Sequence, residues 1–184
     1  MLRGRIIEAG ELGANAELWQ GSDPTPEVDQ LPHPLVVVRM NHDSQGWCED
    51  NPHPEHRRLL VNYGITDDEQ GVLTDEKLLT LAQEIVAWLR EGNPVLVHCL
   101  AGVSRSGYAT TAVVMRLTGW PVDQSLAWIR QRYERSCPNE HFLRLVSVIE
   151  DNPELNEQVT TGGGYIHTSA QDRAIRTARG GRLK

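Results

Sequence analysis

The sequence has no long apolar run, and no stretch approaches the roughly 20 residues that a helix needs to cross a lipid bilayer. Its N-terminus lacks the apolar stretch of a secretory signal peptide. Cysteine is scarce: there are 3 in 184 residues, and an odd count at wide spacings argues against a disulfide scaffold. We therefore expect a protein of a reducing compartment, with the cytoplasm as its default location.

A basic excess is also missing. The formal net charge is −7 and the isoelectric point is near 5.5, so neither nucleic acid nor an anionic membrane is expected as the main partner. Hydrophobic residues make up 39% of the chain and charged residues 23%, which is typical of a globular protein. The length suits a single domain with a sizeable core. The composition leaves the oligomeric state open.

The most informative segment is 98–107, with the sequence HCLAGVSRSG. It follows the apolar run 94–97, which predicts a strand, and precedes 108–117, which predicts a helix. A strand, a short loop and a helix N-terminus direct successive backbone N–H groups toward one point, where a phosphate can bind. Cys99 and Arg105 lie in this loop. The segment therefore predicts a site for a tetrahedral anion with a nucleophile beneath it.

The residue types in the loop fit this chemistry. A cysteine attacks as the thiolate, and a helix N-terminus or nearby donors lower the pKa of such a thiol. Arg105 can offer two parallel donors to phosphate oxygens, and Gly102 lets the backbone approach the ligand. Ser106 could hydrogen-bond the sulfur of Cys99 and help it leave in a second step. The residues expected to bind phosphate are Leu100, Ala101, Gly102, Val103, Ser104 and Arg105.

Two of these assignments have a structural alternative. Cys99 could instead be a buried core cysteine, although its small and hydroxylated neighbours suit an open anion site better. His98 is expected to stay off the reaction path and to orient and polarise the surroundings of the thiol; simple packing is its alternative role.

The segment 98–106 resembles the signature loop of the dual-specificity phosphatases, within the cysteine-based protein tyrosine phosphatase superfamily. The resemblance covers roughly residues 15–150: 17–22 is similar to the opening strand of the family, 125–130 to its penultimate helix, and 137–142 to the Pro-Asn-x-x-Phe entry to its last helix. It implies an α/β fold, a three-layer sandwich with a mainly parallel central sheet flanked by helices. It also implies a phosphocysteine intermediate, no metal and no other cofactor.

The resemblance further implies a general acid, an aspartate about 30 residues before the cysteine. Asp67 and Asp68 precede Cys99 by 32 and 31 residues, so the spacing does not separate them. Asp67 is favoured because it follows Ile65 by two residues, as the acid follows the end of the strand in many relatives. The adjacent carboxylates could also form nothing more than a solvated turn.

These residues predict a phosphatase that hydrolyses phosphate monoesters, with phosphotyrosine of proteins as the leading substrate and phosphoserine or phosphothreonine as further ones. No basic residue lies between Cys99 and Arg105, whereas relatives that act on phosphoinositides often carry one there. The alternatives are a non-protein substrate (a phosphoinositide, a nucleotide or RNA 5′-phosphate, or a sugar phosphate) and a catalytically dead phosphate-binding module.

The rest of the chain predicts the scaffold. Residues 1–16 are expected to be a peripheral N-terminal segment, 17–152 the catalytic domain, and 153–184 a flexible, basic C-terminal tail. The further predicted elements are strands at 35–38 and 59–63, a helix between Thr74 and Gly92, a helix from Ser106 to the break at Gly119, and helices at 123–134 and 140–150.

The polar, proline-rich segment 41–56 predicts a long loop. Trp47, near its middle, is a candidate for one wall of the substrate cleft. The loop also contains three histidines and Cys48, but their spacings match no standard zinc pattern. We therefore expect no metal there.

Overall fold

A computed structural model describes residues 1, 3–32, 35–41, 58–67, 73 and 75–151. Its strands are β1 (Arg3–Ile7), β2 (Leu18–Gly21), β3 (Leu35–Asn41), β4 (Arg58–Ile65) and β5 (Val95–His98), and its helices are a 3-10 helix (Pro26–Gln30), α1 (Asp75–Arg90), α2 (Arg105–Thr118), α3 (Val122–Arg132) and α4 (Glu140–Asp151).

The strands form one five-stranded sheet in the order β1-β2-β5-β3-β4. Only β1 runs antiparallel to its neighbour, and the other pairs are parallel. The predicted α/β class with a mainly parallel sheet is therefore confirmed. Because parallel strands are buried on both faces, their sequences are continuous apolar runs, as at 35–38 and 95–97.

Alternate residues of the strands enter two separate cores. Val36 and Val38 of β3 face the larger core, to which all four α-helices contribute. Leu35 and Val37 face the other side of the sheet, where Val28 of the 3-10 helix packs against them. Period-two alternation thus decides which side chains meet the helices and which meet the smaller layer.

Helix α2 is the central helix of the larger core. Every residue from Arg105 to Met115 is buried, so the start of this helix is fixed by packing on several sides. Helix α1, at the place of the helix predicted between Thr74 and Gly92, presents an apolar stripe whose five positions are buried: Leu78, Leu81, Ala82, Ile85 and Leu89. The segment 99–104 joins the end of β5 to the start of α2. It lies at the carboxyl ends of the parallel strands, where α/β proteins bind their ligands.

The expectation that residues 1–16 form a peripheral segment is wrong. In the structure β1 pairs with β2, and both Ile6 and Ile7 are completely buried. A register shift between Arg5 and Ile7 lets these consecutive isoleucines both reach the core. The indole N–H of Trp128 in α3 also donates to Ile6 O at 3.3 Å. Arg3, which is partly buried, and Arg5, which is exposed, conceal the β pattern of this edge strand in the sequence.

Several predictions fall outside the described residues. These are the cleft role of Trp47, the loop residues 42–56 with their histidines and Cys48, the tail 153–184, Thr74 before the predicted helix, and Asp68. Among the residues that are described, no cluster of His, Cys, Asp and Glu has the arrangement of a metal site. None of the described helices combines the length and the apolar character that crossing a bilayer requires.

The role of β1 in the core can be tested with Ile6→Ala. Removing a fully buried isoleucine side chain should lower the free energy of unfolding by about 2–5 kcal/mol in urea denaturation. Glu8→Ala, on the exposed end of the same segment, is the matched control and should change it by less than about 0.5 kcal/mol. Equal, small effects of both substitutions on the free energy of unfolding would show that residues 1–16 are peripheral.

Candidate active site

Cys99 begins the loop directly after β5. Its side chain is 2% exposed, and its backbone N–H donates to Gly21 O of β2 at 3.2 Å. The Sγ atom lies 3.3 Å from the hydroxyl oxygen of Ser106, within hydrogen-bond range for sulfur. When the sulfur is a thiolate, the Ser106 hydroxyl is the donor of this bond, because a thiolate can only accept. The structure therefore brings the predicted nucleophile and Ser106 together.

Three carbonyl groups of the loop are held by donors outside it. The bonds are Asp23 N–H to Leu100 O (3.3 Å), Gln20 Nε2 to Gly102 O (3.1 Å) and Cys137 N–H to Val103 O (3.2 Å). In a trans peptide the C=O of one residue and the N–H of the next point in opposite directions. The N–H groups of residues 101, 103 and 104 therefore point away from these donors, toward the inner side of the loop. Such a set of amides is suited to bind an anion.

Gly102 adopts a left-handed conformation, with φ of +72°, and passes very close to β2. A Cβ atom at this position would overlap the backbone of Gly21 and Ser22. The sequence predicts glycine here for close approach to a ligand, whereas the structure gives a second reason: the loop has to cross the end of β2.

The N-terminus of α2 also faces this loop. Ser104 is the N-cap residue, but its hydroxyl makes no capping bond and instead accepts the backbone N–H of Asn139 at 3.2 Å. The first turn contains no acidic side chain. The first N–H groups of a helix have no intrahelical partner, and here neither a cap nor a carboxylate from that turn competes for them. This arrangement favours a bound anion.

Arg105 supplies a buried positive charge at the same place. Its Nη1 donates to Ile65 O at the end of β4, at 3.2 Å, and its Nε lies 3.8 Å from Asp67 Oδ2. The Asp67 side chain is 44% exposed, so solvent and substrate can reach it. The predicted arginine and one of the two predicted acids thus lie next to each other, although 38 residues separate them in the sequence. Asp68 is outside the described residues.

Asn139 connects the acid to the rest of the site. Its Nδ2 donates to Asp67 Oδ1 at 3.2 Å, and its Oδ1 accepts the N–H of Phe142 at 3.1 Å, which caps the start of α4. With its backbone bond to Ser104, this one residue joins the acid, the loop and a helix terminus. The sequence assigns Asn139 only to a family motif. Its position just before an acidic first helical residue, Glu140, is the N-cap pattern that could have indicated this role.

His98 lies just before the loop and is 2% exposed. Its Nδ1 is 3.3 Å from Asp23 Oδ1, an electrostatic contact that lacks the alignment of a hydrogen bond. This position agrees with a supporting role next to the thiol. On the outer side of the loop Leu100 is 52% exposed, and Ala101 is also exposed, so these two side chains form part of the rim.

Tyr133, at the end of α3, also lies within the electrostatic field of the site. Burial raises the pKa of its hydroxyl, the positive charge of Arg135 opposes this effect, and the negative charge that Cys99 would carry as a thiolate raises the pKa further. The electrostatic contact with Cys99 places Tyr133 near the candidate nucleophile.

Residues 20–152 match the family described as "Dual specificity phosphatase, catalytic domain". The chain belongs to this family. It is 32% identical over 128 residues to tyrosine-protein phosphatase yvh1 of Schizosaccharomyces pombe, a match that covers 68% of this chain and 38% of the yeast protein. It is also 41% identical over 61 residues to dual specificity protein phosphatase Mpk3 of Drosophila melanogaster, covering 33% of this chain and 15% of that protein. The matched segments are therefore less than half the length of either relative.

Solved structures agree on the fold. The crystal structure of human DUSP28 aligns with a TM-score of 0.65 at 19% identity, covering 82% of this chain and 97% of that chain. The crystal structure of PTPMT1 aligns with a TM-score of 0.64 at 18% identity, covering 86% and 96%. At these identities the likeness concerns the fold alone, and it confirms the predicted protein tyrosine phosphatase-like architecture.

The role of Asn139 can be tested with Asn139→Asp. An aspartate still caps α4, so the stability should change by less than about 1 kcal/mol. It cannot donate to Asp67, and its carboxylate repels that side chain. We therefore expect roughly tenfold slower turnover of phenyl phosphate, whose poor leaving group needs a proton, and little change for p-nitrophenyl phosphate.

The control for this test is Asn139→Ala, which removes the cap as well and should also lower the melting temperature. If Asn139→Asp turned over both substrates at the wild-type ratio, Asn139 would have no part in holding the acid.

Proposed function

We propose that this chain is a protein phosphatase whose leading substrate is phosphotyrosine, with phosphoserine and phosphothreonine as further substrates. The reaction passes through a phosphocysteine intermediate and uses no metal. One observation carries the proposal: a cysteine whose sulfur lies 3.3 Å from a serine hydroxyl begins a loop whose carbonyls accept donors from outside it, and a buried arginine with its Nε 3.8 Å from an aspartate follows that loop. Nucleophile, anion site and proton donor are thus present in one place.

In the first step the thiolate of Cys99 attacks phosphorus in line with the leaving oxygen. The S–P bond forms as the P–O bond breaks, and Asp67, in its protonated form, gives its proton to the departing phenoxide or alkoxide. Arg105 and the loop amides bind the three equatorial oxygens. Because phosphoryl transfer depends mainly on positioning and charge, these fixed donors provide most of the catalysis.

In the second step the Asp67 carboxylate takes a proton from water, and the oxygen of this water attacks phosphorus. The S–P bond breaks and inorganic phosphate leaves. The electron pair returns to the sulfur of Cys99 as a thiolate, which the Ser106 hydroxyl stabilises by donating its hydrogen bond. The aspartate is protonated again, so the site is ready for the next substrate.

The preference for protein substrates rests on the character of the loop. The residues between Cys99 and Arg105 are uncharged, so the loop offers no additional cation for a multiply phosphorylated headgroup. The exposed side chain of Leu100 offers an apolar surface that suits the ring of a tyrosine better than an inositol. We propose a reducing compartment such as the cytoplasm as its location, because the mechanism needs a free thiol at Cys99.

The nucleophile can be tested with Cys99→Ser. This variant should lose measurable turnover of p-nitrophenyl phosphate and of a phosphotyrosine peptide while keeping the melting temperature of the wild type, because a serine hydroxyl is a far weaker nucleophile at neutral pH. The matched control is Cys137→Ser at an exposed cysteine whose contact with the loop uses only its backbone, and it should keep full activity.

Retained activity of Cys99→Ser would refute the mechanism. The same assay tests the substrate class when a water-soluble phosphoinositide is added as a further substrate. We include this substrate because a PTPMT1 structure with the same fold is solved in complex with PI(5)P. Faster release of phosphate from the phosphoinositide than from the peptide would overturn the preference for proteins.

The general acid can be tested by comparing Asp67→Asn with Asp68→Asn. An asparagine keeps the size of the side chain but has no proton to give, so Asp67→Asn should slow turnover of phenyl phosphate by roughly 100-fold or more. Asp68→Asn should remain within about threefold of the wild type, since it would alter only a neighbouring charge. The opposite order of effects would assign the acid to Asp68.

A further inference from the structure

Three polar side chains lie buried directly behind the phosphate loop, and the mechanism above does not use them. They are Gln20 of β2, Thr110 of α2 and Ser136 between α3 and α4, and each is completely buried. We refer to these three as the Gln20 network. Polar groups in a protein interior cost free energy unless they are hydrogen-bonded, so their arrangement requires an explanation.

The amide of Gln20 is the centre of this network. Its Nε2 donates to Gly102 O at 3.1 Å, and its Oε1 accepts the hydroxyls of Thr110 at 2.8 Å and of Ser136 at 3.1 Å. Only this orientation of the amide works, because a carbonyl can only accept. If the amide were flipped, its oxygen would face the carbonyl oxygen of Gly102. The Gly102 carbonyl thus decides which way the amide faces, and the two hydroxyls hold the amide oxygen, although Thr110 Oγ1 also lies 3.0 Å from Ser106 O and 3.1 Å from Gly107 O.

Gly107 in α2 makes this geometry possible. A Cβ atom at this position would lie 2.8 Å from the Ser136 hydroxyl oxygen and 3.2 Å from a ring carbon of Pro138. Any larger residue would push the segment that carries Ser136 away from β2. The absence of a side chain at 107 thus brings the second hydroxyl within reach of Gln20.

The contact falls where the loop is softest. Gly102 is the loop residue with a positive φ, and a glycine can change the orientation of its peptide more easily than other residues can. By holding Gly102 O, Gln20 fixes the plane of the peptide that also carries the N–H of Val103. That N–H then points away from β2, to the side where phosphate oxygens would bind. The neighbouring bonds to Leu100 O and Val103 O come from main-chain N–H groups.

We propose that Gln20 is a positioning residue of the phosphate loop, which keeps the Val103 N–H directed at the phosphate by holding the Gly102 carbonyl, with Thr110 and Ser136 fixing its amide. This inference rests on the proposed function, because it concerns the site in which that function places the phosphate. It predicts that the network affects affinity for a phosphate-like anion apart from its effect on stability.

The experiment compares Gln20→Leu with the triple variant Gln20→Leu/Thr110→Val/Ser136→Ala. Gln20→Leu leaves the buried Ser136 hydroxyl without its acceptor, whereas Thr110 Oγ1 keeps Ser106 O at 3.0 Å, so the variant should lower the melting temperature as well. The triple variant replaces the whole network with apolar side chains and should regain much of that loss. Neither variant can hold Gly102 O. Both should therefore bind vanadate roughly tenfold more weakly than the wild type. The affinity is measured as the inhibition constant of vanadate in the turnover of p-nitrophenyl phosphate.

The matched control is Thr111→Val. Thr111 is buried on the same helix, and its hydroxyl donates to Gly107 O at 2.7 Å but does not contact Gln20. This variant should lose stability and keep its vanadate affinity within about twofold. Ser136→Ala is the milder test should the larger changes prevent folding: it retains Gln20 and should weaken vanadate binding by about threefold.

Two readouts separate positioning from a general loss of structure. A displaced loop amide should raise KM and the vanadate inhibition constant together in the triple variant, and it should also change the pH dependence of Cys99 alkylation by iodoacetamide. If vanadate inhibited the triple variant as strongly as the wild type, or if the Gln20 variants kept the same vanadate affinity as Thr111→Val, the role of Gln20 would be refuted. The proposed function would be unaffected by that result. If the wild type itself neither bound vanadate nor hydrolysed p-nitrophenyl phosphate, the proposed function would fail and the inference with it.

Discussion

The site depends on how the carbonyl groups of a six-residue turn are held. Between β5 and α2 several N–H groups have to point at one position. A loop without hydrogen bonds from outside would not keep its peptides in these orientations. Here donors from β2, from the residues after β2 and from the α3–α4 connection occupy Leu100 O, Gly102 O and Val103 O. Planar trans peptides convert these outer bonds into inward-facing amides. The proposed anion site is therefore a consequence of packing around the loop.

The same packing connects the loop to Asp67, the proposed acid. Asn139 caps α4, holds Asp67 and is itself bound to Ser104, while Arg105 reaches the end of β4. Each functional group is thus fixed by an element other than its own. In a mechanism that relies on positioning and fixed charge, this cross-linking matters more than the stability that any single bond contributes. It also explains why Ser104 does not cap its own helix: its hydroxyl serves Asn139 instead.

Local sequence predicted the parts of the fold and site that are local. The strand, loop and helix of 94–118 are contiguous, so the composition of one segment indicated the nucleophile, the arginine and the anion site. What the sequence could not predict depends on distant partners. Asn139 and Asp67 are 72 residues apart, Gln20 and Ser136 are 116 apart, and no local pattern reports such contacts. β1 was missed for a related reason: it is an edge strand that carries two arginines, Arg3 and Arg5, and it is completed by its pairing with β2. Gln20 did leave a trace, as a polar residue at a strand position that faces the core.

A crystal structure of the vanadate complex tests the central claim most directly. The account predicts vanadium bonded to the sulfur of Cys99, with the N–H groups of residues 101, 103 and 104 and the Arg105 guanidinium within about 3 Å of its equatorial oxygens. It also predicts that Gln20 Nε2 still donates to Gly102 O in that complex. Vanadate bound away from the sulfur, or a loop whose carbonyls rather than amides faced the anion, would contradict it.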